Sequence, residues 1–139
     1  MKIPSILTPV LLLGALPAIA AAQGCACTSF SPNVAVTVSE GPAGAARVDQ
    51  NRICVARGGV VTFQSDEGDV EIAFNKGDGS PFPFNFVRRS RGQRLGARIT
   101  QANAQQCGRT FRYTVRLTKD GRNLVLDPEI IVEPGGDQQ

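Results

Sequence analysis

The residues with the most obvious chemistry in this 139-residue chain are four cysteines, Cys25, Cys27, Cys54 and Cys107. Cys25 and Cys27 are separated by one residue, and two thiolates at that spacing suit a soft metal such as copper(I). The alternative is that all four form disulfide bonds, because an even set is typical of exported proteins. A bond between Cys25 and Cys27 would close a very small, strained ring, so we expect each to join Cys54 or Cys107. The choice between those two pairings stays open.

The absence of histidine narrows the possible chemistry further. Without an imidazole, Ser-His-Asp and Cys-His catalysis and any histidine-containing zinc, haem or blue-copper site are excluded. Isolated carboxylates such as Asp127 and Glu129 have no visible nucleophile as a partner. We therefore expect no enzymatic activity, no catalytic residues and no cofactor.

An arginine segment is the strongest local charge bias in the chain. It places five guanidinium groups within eleven positions, with no acidic residue among them: Arg88, Arg89, Arg91, Arg94 and Arg98. Guanidinium forks suit carboxylate, phosphate and sulfate groups. This favours an anionic partner such as a polymer, a lipid head group or an acidic protein, whereas the scarcity of aromatic residues argues against nucleic acid. The alternative is a polar loop that pairs internally with nearby acids.

Those acids form a second cluster that precedes the arginine segment. Carboxylates on neighbouring loops suit calcium, although their spacing here is not that of an EF-hand loop. The alternative is a solvated acidic rim that keeps a sheet edge soluble. The cluster comprises Asp66, Glu67, Asp69, Glu71 and Asp78.

The first 22 residues have the pattern of a secretory signal peptide. Lys2 is followed by an apolar run, and small residues at alternating positions between Ala18 and Ala22 suit a signal peptidase. Cleavage would leave no transmembrane span, and loss of Lys2 would leave 14 basic against 12 acidic residues. We predict a periplasmic or secreted protein with a cysteine-containing segment over residues 23–32, one domain over 33–134 and a polar tail over 135–139.

Hydrophobic residues in that domain alternate with a period of two, which predicts an all-β fold. The clearest strand is Thr110–Thr118, with Tyr113 among its apolar face and Arg116 on its polar face. Asp120-Gly121 predicts a hairpin turn after it, and Asp127-Pro128 interrupts the returning strand. Short helical turns near Ala45 or over residues 100–106 are the possible exceptions. Seven or eight short strands at this spacing indicate a β-sandwich. The other predicted strand segments are Asn33–Val38, Arg52–Ala56, Val60–Phe63, Val70–Phe74, an edge strand from Phe84–Phe86, Leu95–Thr100, Leu124–Leu126 and Glu129–Val132.

The run Asn51–Asp66 followed by Val70–Phe74 resembles the cupredoxin stretch in which a strand, a glycine bend, an apolar strand ending in Phe and a short loop lead to the next strand. The segments Gly92–Ile99, Cys107–Val115 and Glu129–Val132 are similar to the carboxy-terminal strands of plastocyanin-like domains. The resemblance implies a Greek-key β-sandwich.

The same resemblance implies where copper ligands would lie, and this sequence departs from it there. In the family a histidine opens the strand after the Phe-containing one, where this chain has Val70 or Glu71. The remaining ligands lie between the last two strands, where Arg116–Asp127 contains neither sulfur nor imidazole. We therefore predict no metal site, and a non-catalytic binding or structural module on a copper-free cupredoxin-like scaffold. The alternative is a copper(I)-handling periplasmic protein that uses Cys25 and Cys27.

Overall fold

The computed structural model describes Pro4 and residues 24–100 and 106–135, and within them ten strands and no α-helix. The one short helical element is a 3-10 turn at Pro42–Gly44. No helix in the described part of the chain is long and apolar enough to cross a bilayer. The predicted signal peptide lies outside the described residues, apart from Pro4. The strands are β1 Ser31–Glu40, β2 Ala46–Val48, β3 Arg52–Gln64, β4 Asp69–Ala73, β5 Phe86–Arg89, β6 Leu95–Arg98, β7 Arg109–Arg112, β8 Thr114–Lys119, β9 Arg122–Leu126 and β10 Glu129–Val132.

The strands form two sheets with a shared core, which confirms the all-β, sandwich-like prediction. The first sheet is mixed, with the order β2-β1-β3-β10-β7, and β6 also pairs with β3. Within it, β3 is parallel to both β1 and β10. The second sheet is antiparallel throughout, with the order β5-β4-β8-β9. Strand β5 lies at the sheet edge, as predicted for the segment that begins near Phe84.

The long strand β3 bends at two glycines, as the sequence suggested. Gly58 has a φ of 69°, a conformation that glycine adopts without strain. A side chain at Gly59 would lie 2.9 Å from the Pro32 carbonyl oxygen, which is closer than Cβ atoms approach. The bend allows the half of β3 before it to pair with β10 and the half after it to pair with β6.

The predicted single strand Thr110–Thr118 is wrong, because the structure divides it between the two sheets. β7 pairs with β10 in the mixed sheet, whereas β8 pairs with β4 and β9 in the antiparallel sheet. The break falls at Tyr113, whose backbone N–H donates to the Pro128 carbonyl oxygen at 3.0 Å. Asp127-Pro128 interrupts the returning strand opposite this break, as predicted. The four strands therefore form one long hairpin, with β7 and β10 in the mixed sheet and β8 and β9 in the antiparallel sheet.

Alternating side chains from both sheets fill the space between them. The β-branched residues of β1 and β3 face Ile72, Val115 and Leu117 from the second sheet, all of them buried. One end of the core is aromatic: Tyr113 stacks on Phe74 with ring centroids 5.3 Å apart and meets Phe63 edge-on at 5.9 Å. The Tyr113 hydroxyl is buried with no hydrogen-bond partner among the described residues.

Candidate functional site: charged surfaces of the sandwich

All four cysteines are in disulfide bonds. Cys25 is bonded to Cys107, and Cys27 to Cys54. This is one of the two pairings that the sequence left open, and it fixes the segment before β1 to the body of the domain. Since no cysteine is free, the oxidised protein has no thiolate at Cys25 or Cys27 with which to bind copper(I).

The turn of the β8–β9 hairpin contributes two basic side chains to an ion-pair network. Lys119 Nζ lies 2.8 Å from Glu67 Oε1 and 3.2 Å from Glu40 Oε1. Arg122 Nη1 lies 3.0 Å from the other carboxylate oxygen of Glu40. Lys119 and Arg122 flank the Asp120-Gly121 turn of the β8–β9 hairpin, and Glu67 lies in the loop before β4. Two carboxylates and two basic side chains therefore neutralise one another beside the β8–β9 turn.

The pKa values of this network reflect the contacts between its members. Hydrogen bonds from Arg122, and next from Lys119, lower the pKa of Glu40. A hydrogen bond from Lys119, and next one from the Glu40 backbone N–H, lower the pKa of Glu67. The same carboxylates raise the pKa of Lys119. Each group is thus held in its charged form, which suits a structural network rather than proton transfer.

The acidic cluster seen in the sequence is dispersed in the structure. Glu71 pairs with Arg88 and Arg116, whereas Asp78 pairs with Arg112, whose hydrogen bond lowers the pKa of Asp78. No group of three or more potential metal ligands exists among the described residues. Glu67, Glu71 and Asp78 are thus paired with basic side chains, whereas Asp66 and Asp69 form no ion pair among the described residues.

The carboxylates singled out just after β9 and at the start of β10 are likewise paired. Asp127 lies 3.3 Å from Lys76 Nζ and accepts a hydrogen bond of 2.9 Å from the Thr114 hydroxyl. Glu129 forms an ion pair with Arg52. These contacts give both carboxylates structural partners.

The arginine segment separates into three places. Arg88 lies on β5 and pairs with Glu71 across the strand pair, so internal pairing applies to this residue. Arg89 ends β5, and Arg91 and Arg94 lie in the connection that leads from β5 in one sheet to β6 in the other. Arg98 lies at the end of β6, where it donates to the Gly58 carbonyl oxygen at 2.6 Å.

The remaining arginines of the segment differ from Arg88 in their electrostatic environment. Among the described residues, none of the guanidinium groups of Arg89, Arg91, Arg94 and Arg98 lies within 4.0 Å of a carboxylate oxygen. Arg91 Nε donates to the Asp66 backbone carbonyl at 2.6 Å, and Arg89 donates to that of Arg88 at 2.8 Å. Asp69 Oδ1 accepts from the Arg91 backbone N–H at 3.0 Å rather than from its guanidinium group. These guanidinium groups are therefore not paired with a carboxylate.

The structure also brings together a surface that the sequence analysis did not identify. A hollow of about 180 Å³ on the outer face of the antiparallel sheet is lined by Glu71, Ala73, Asn75, Phe86, Thr114 and Arg116. Period-two alternation assigned Arg116 to the polar face of its strand, but strand register was needed to place it in a common hollow with Phe86. A second, open groove of about 560 Å³ lies along the edges β2 and β9, with Arg47, Asp49 and Leu126 among its lining residues.

Comparison with known proteins adds no family assignment. The sequence matches no protein-family model and has no significant match among curated proteins.

Proposed function

We propose that this chain is an exported, non-catalytic binding module on a cupredoxin-like Greek-key scaffold without copper ligands. We further propose that it binds an anionic partner through Arg89, Arg91 and Arg94, which we call the arginine connection. The observation that carries the proposal is the absence of carboxylate partners for these three side chains among the described residues. A guanidinium group that is not paired with a carboxylate retains donors for a carboxylate, phosphate or sulfate from outside.

Two features support the scaffold part of the proposal. Strand β3 bends at Gly58-Gly59, carries Phe63 near its end and leads through a short loop to β4, which is the order that the resemblance implies. The division of the strands into one mixed and one antiparallel sheet is compatible with a sandwich of that class. In place of copper ligands, the chain has the network of Glu40, Glu67, Lys119 and Arg122.

Export is supported by the cysteines and by the sequence pattern of residues 1–22. Two disulfide bonds are compatible with an oxidising compartment. Because the bonds join the segment before β1 to β3 and to the residues before β7, they suit a domain that must stay folded outside the cytoplasm.

The test is salt-dependent retention of the full chain, expressed for export, on an immobilised anionic polysaccharide such as heparin. We expect Arg89→Gln/Arg91→Gln/Arg94→Gln to elute at distinctly lower salt than the wild type, because salt screens exposed charges and each lost guanidinium removes one contact. The matched control is Arg52→Gln/Arg57→Gln/Arg112→Gln, which removes the same charge from arginines that are paired with Glu129, Glu133 and Asp78.

The two triple variants separate a local site from a general effect of net charge. If both elute equally early, net charge alone governs retention and the arginine connection is not the site. If the wild type is not retained even at low ionic strength, anion binding itself is refuted.

A further inference from the structure

The outer face of the antiparallel sheet carries a charged row beside an exposed aromatic ring. Arg88, Glu71 and Arg116 are register partners on β5, β4 and β8. Glu71 accepts a hydrogen bond of 3.0 Å from Arg88 Nε, and Arg116 Nη1 lies 3.6 Å from its other oxygen. Only 14% of the Glu71 side chain is exposed, against 68% for Arg88 and 48% for Arg116. One partly buried acid therefore faces two guanidinium groups, hydrogen-bonded to Arg88 and close to Arg116, and the row carries a net positive charge outward.

Phe86 lies next to this row and is open to solvent. Its register partner is Ala73, which leaves room above β4, and 56% of Phe86 is exposed. The hollow between them is smaller than the 300–1,000 Å³ typical of pockets that enclose a drug-sized ligand. It suits one ring of an extended molecule whose neighbouring units lie on the sheet surface.

The lining of the hollow combines one aromatic face with several polar groups. The Arg116 guanidinium group makes no hydrogen bond to any described residue, because its 3.6 Å contact with Glu71 is too long. Its donors can engage a carboxylate in the bidentate geometry that guanidinium groups favour. Asn75 and the Thr114 hydroxyl supply further polar atoms at the opposite side, 3.3 Å from each other.

We infer that this surface, which we call the Phe86 platform, binds a uronic acid residue of an anionic polysaccharide. The C–H face of the sugar ring stacks on Phe86, its carboxylate pairs with Arg116, and its hydroxyl groups meet Asn75 and Thr114. The inference rests on the proposed function and names the chemical class of its ligand. The arginine connection, which follows β5 directly, extends the contact to neighbouring acidic units.

The distribution of apolar surface favours a sugar over an apolar protein partner. Phe86 and Val125 are the large hydrophobic residues that are exposed in the described part of the chain. They lie on β5 and β9, at opposite edges of the sheet, which are about 14 Å apart at the usual strand spacing. Glu71 on β4 and Arg116 on β8 lie between these two edges, so the two side chains do not form the continuous apolar core that protein interfaces use.

The test measures binding of polygalacturonate, a polymer of uronic acid, to the full-length exported protein, with polyphosphate as the anionic comparison. We expect Phe86→Ala to weaken polygalacturonate binding about tenfold and polyphosphate binding less than twofold, because only the sugar has a face to stack. The matched control is Val125→Ala, which removes the other exposed apolar side chain of the same sheet and is expected to change neither affinity. Arg116→Gln is expected to weaken polygalacturonate binding by a similar factor to Phe86→Ala.

Each outcome distinguishes this inference from the proposed function. Loss of binding in the arginine-connection variant with no effect of Phe86→Ala refutes the Phe86 platform and leaves anion binding intact. Equal loss of both polymers in Phe86→Ala refutes sugar stacking as well. Tighter binding to anionic phospholipid vesicles than to polygalacturonate would assign Phe86 to a membrane surface instead. Failure to bind either polymer refutes the proposed function itself.

Discussion

Replacing Tyr113 with phenylalanine is expected to stabilise this protein. The Tyr113 hydroxyl is fully buried and has no hydrogen-bond partner among the described residues. Leaving a buried hydroxyl without a partner costs about 1–3 kcal/mol, and phenylalanine keeps the ring that stacks on Phe74. We therefore expect the free energy of unfolding of Tyr113→Phe at pH 7 to exceed that of the wild type by at least about 1 kcal/mol.

The difference should grow at alkaline pH. Burial raises the pKa of Tyr113 well above its ordinary value of 10, with a smaller contribution from the negative charge of Asp49. The unfolded chain then loses its phenolic proton near pH 10 while the folded protein retains it. The free energy of unfolding is therefore highest below pH 10 with respect to this group, and it falls as the pH rises above 10. The wild type should lose about 2 kcal/mol between pH 9 and 11.5 through this group, because the loss approaches 1.36 kcal/mol per pH unit above pH 10. Tyr113→Phe should not incur this loss.

The assay is urea unfolding of both proteins at pH 7 and at several pH values between 9 and 11.5. Tyr113 is the only tyrosine and the chain has no tryptophan, so tyrosinate absorbance reports this one side chain. A tyrosinate midpoint near pH 10 in the folded protein would contradict the reasoning, as would equal stability of wild type and Tyr113→Phe. Either result would mean that the hydroxyl reaches water or a polar partner.

Two further predictions concern the disulfide bonds and the ion-pair network. Cys27→Ala/Cys54→Ala should lower the free energy of unfolding by about 3.5 kcal/mol, from the chain entropy of a loop with a sequence separation of 27. Urea unfolding measures this, and a loss below about 1 kcal/mol would show that the bond does not restrict the unfolded chain. For Lys119→Met, we expect a flatter decline of stability on acidification, because Lys119 is the main cause of the lowered pKa of Glu67 and also lowers that of Glu40. Carboxylates with lowered pKa values stabilise the fold above their ordinary pKa of 4.5 and lose that contribution as the pH falls. Parallel acid-unfolding profiles for wild type and variant would therefore refute the role of Lys119 in lowering these pKa values.

Much of the fold was predictable because strand signals are local. The alternation around β1, β4 and β8, the bend at Gly58-Gly59 and the hairpin turn at Asp120-Gly121 are each encoded within a few residues. The division of Thr110–Thr118 between two sheets was not predictable, because Phe111, Tyr113 and Val115 keep the same inward alternation on both sides of the break. Only the pairing partners, β10 for one half and β9 for the other, reveal the change of sheet.

The candidate sites show the same division between local and long-range information. The arginine segment was visible as a local charge bias, but its separation into Arg88, the arginine connection and Arg98 depends on which sheet each strand joins. The Phe86 platform was not visible, since Phe86 and Arg116 are thirty residues apart and meet through the register of β5, β4 and β8. Composition and spacing therefore indicated the kind of chemistry, whereas strand register determined where it is located.

The parallel pairing of β3 with β10 has a consequence for the order of folding. Arg52 and Glu129 are register partners, although they are separated by most of the domain. During synthesis, one edge of the β3 half that precedes the glycine bend therefore stays uncovered until β10, the last strand of the domain, has been made. An uncovered apolar edge is a template for pairing between chains. Truncation before Glu129 should consequently cause aggregation through β3, rather than only a less stable monomer.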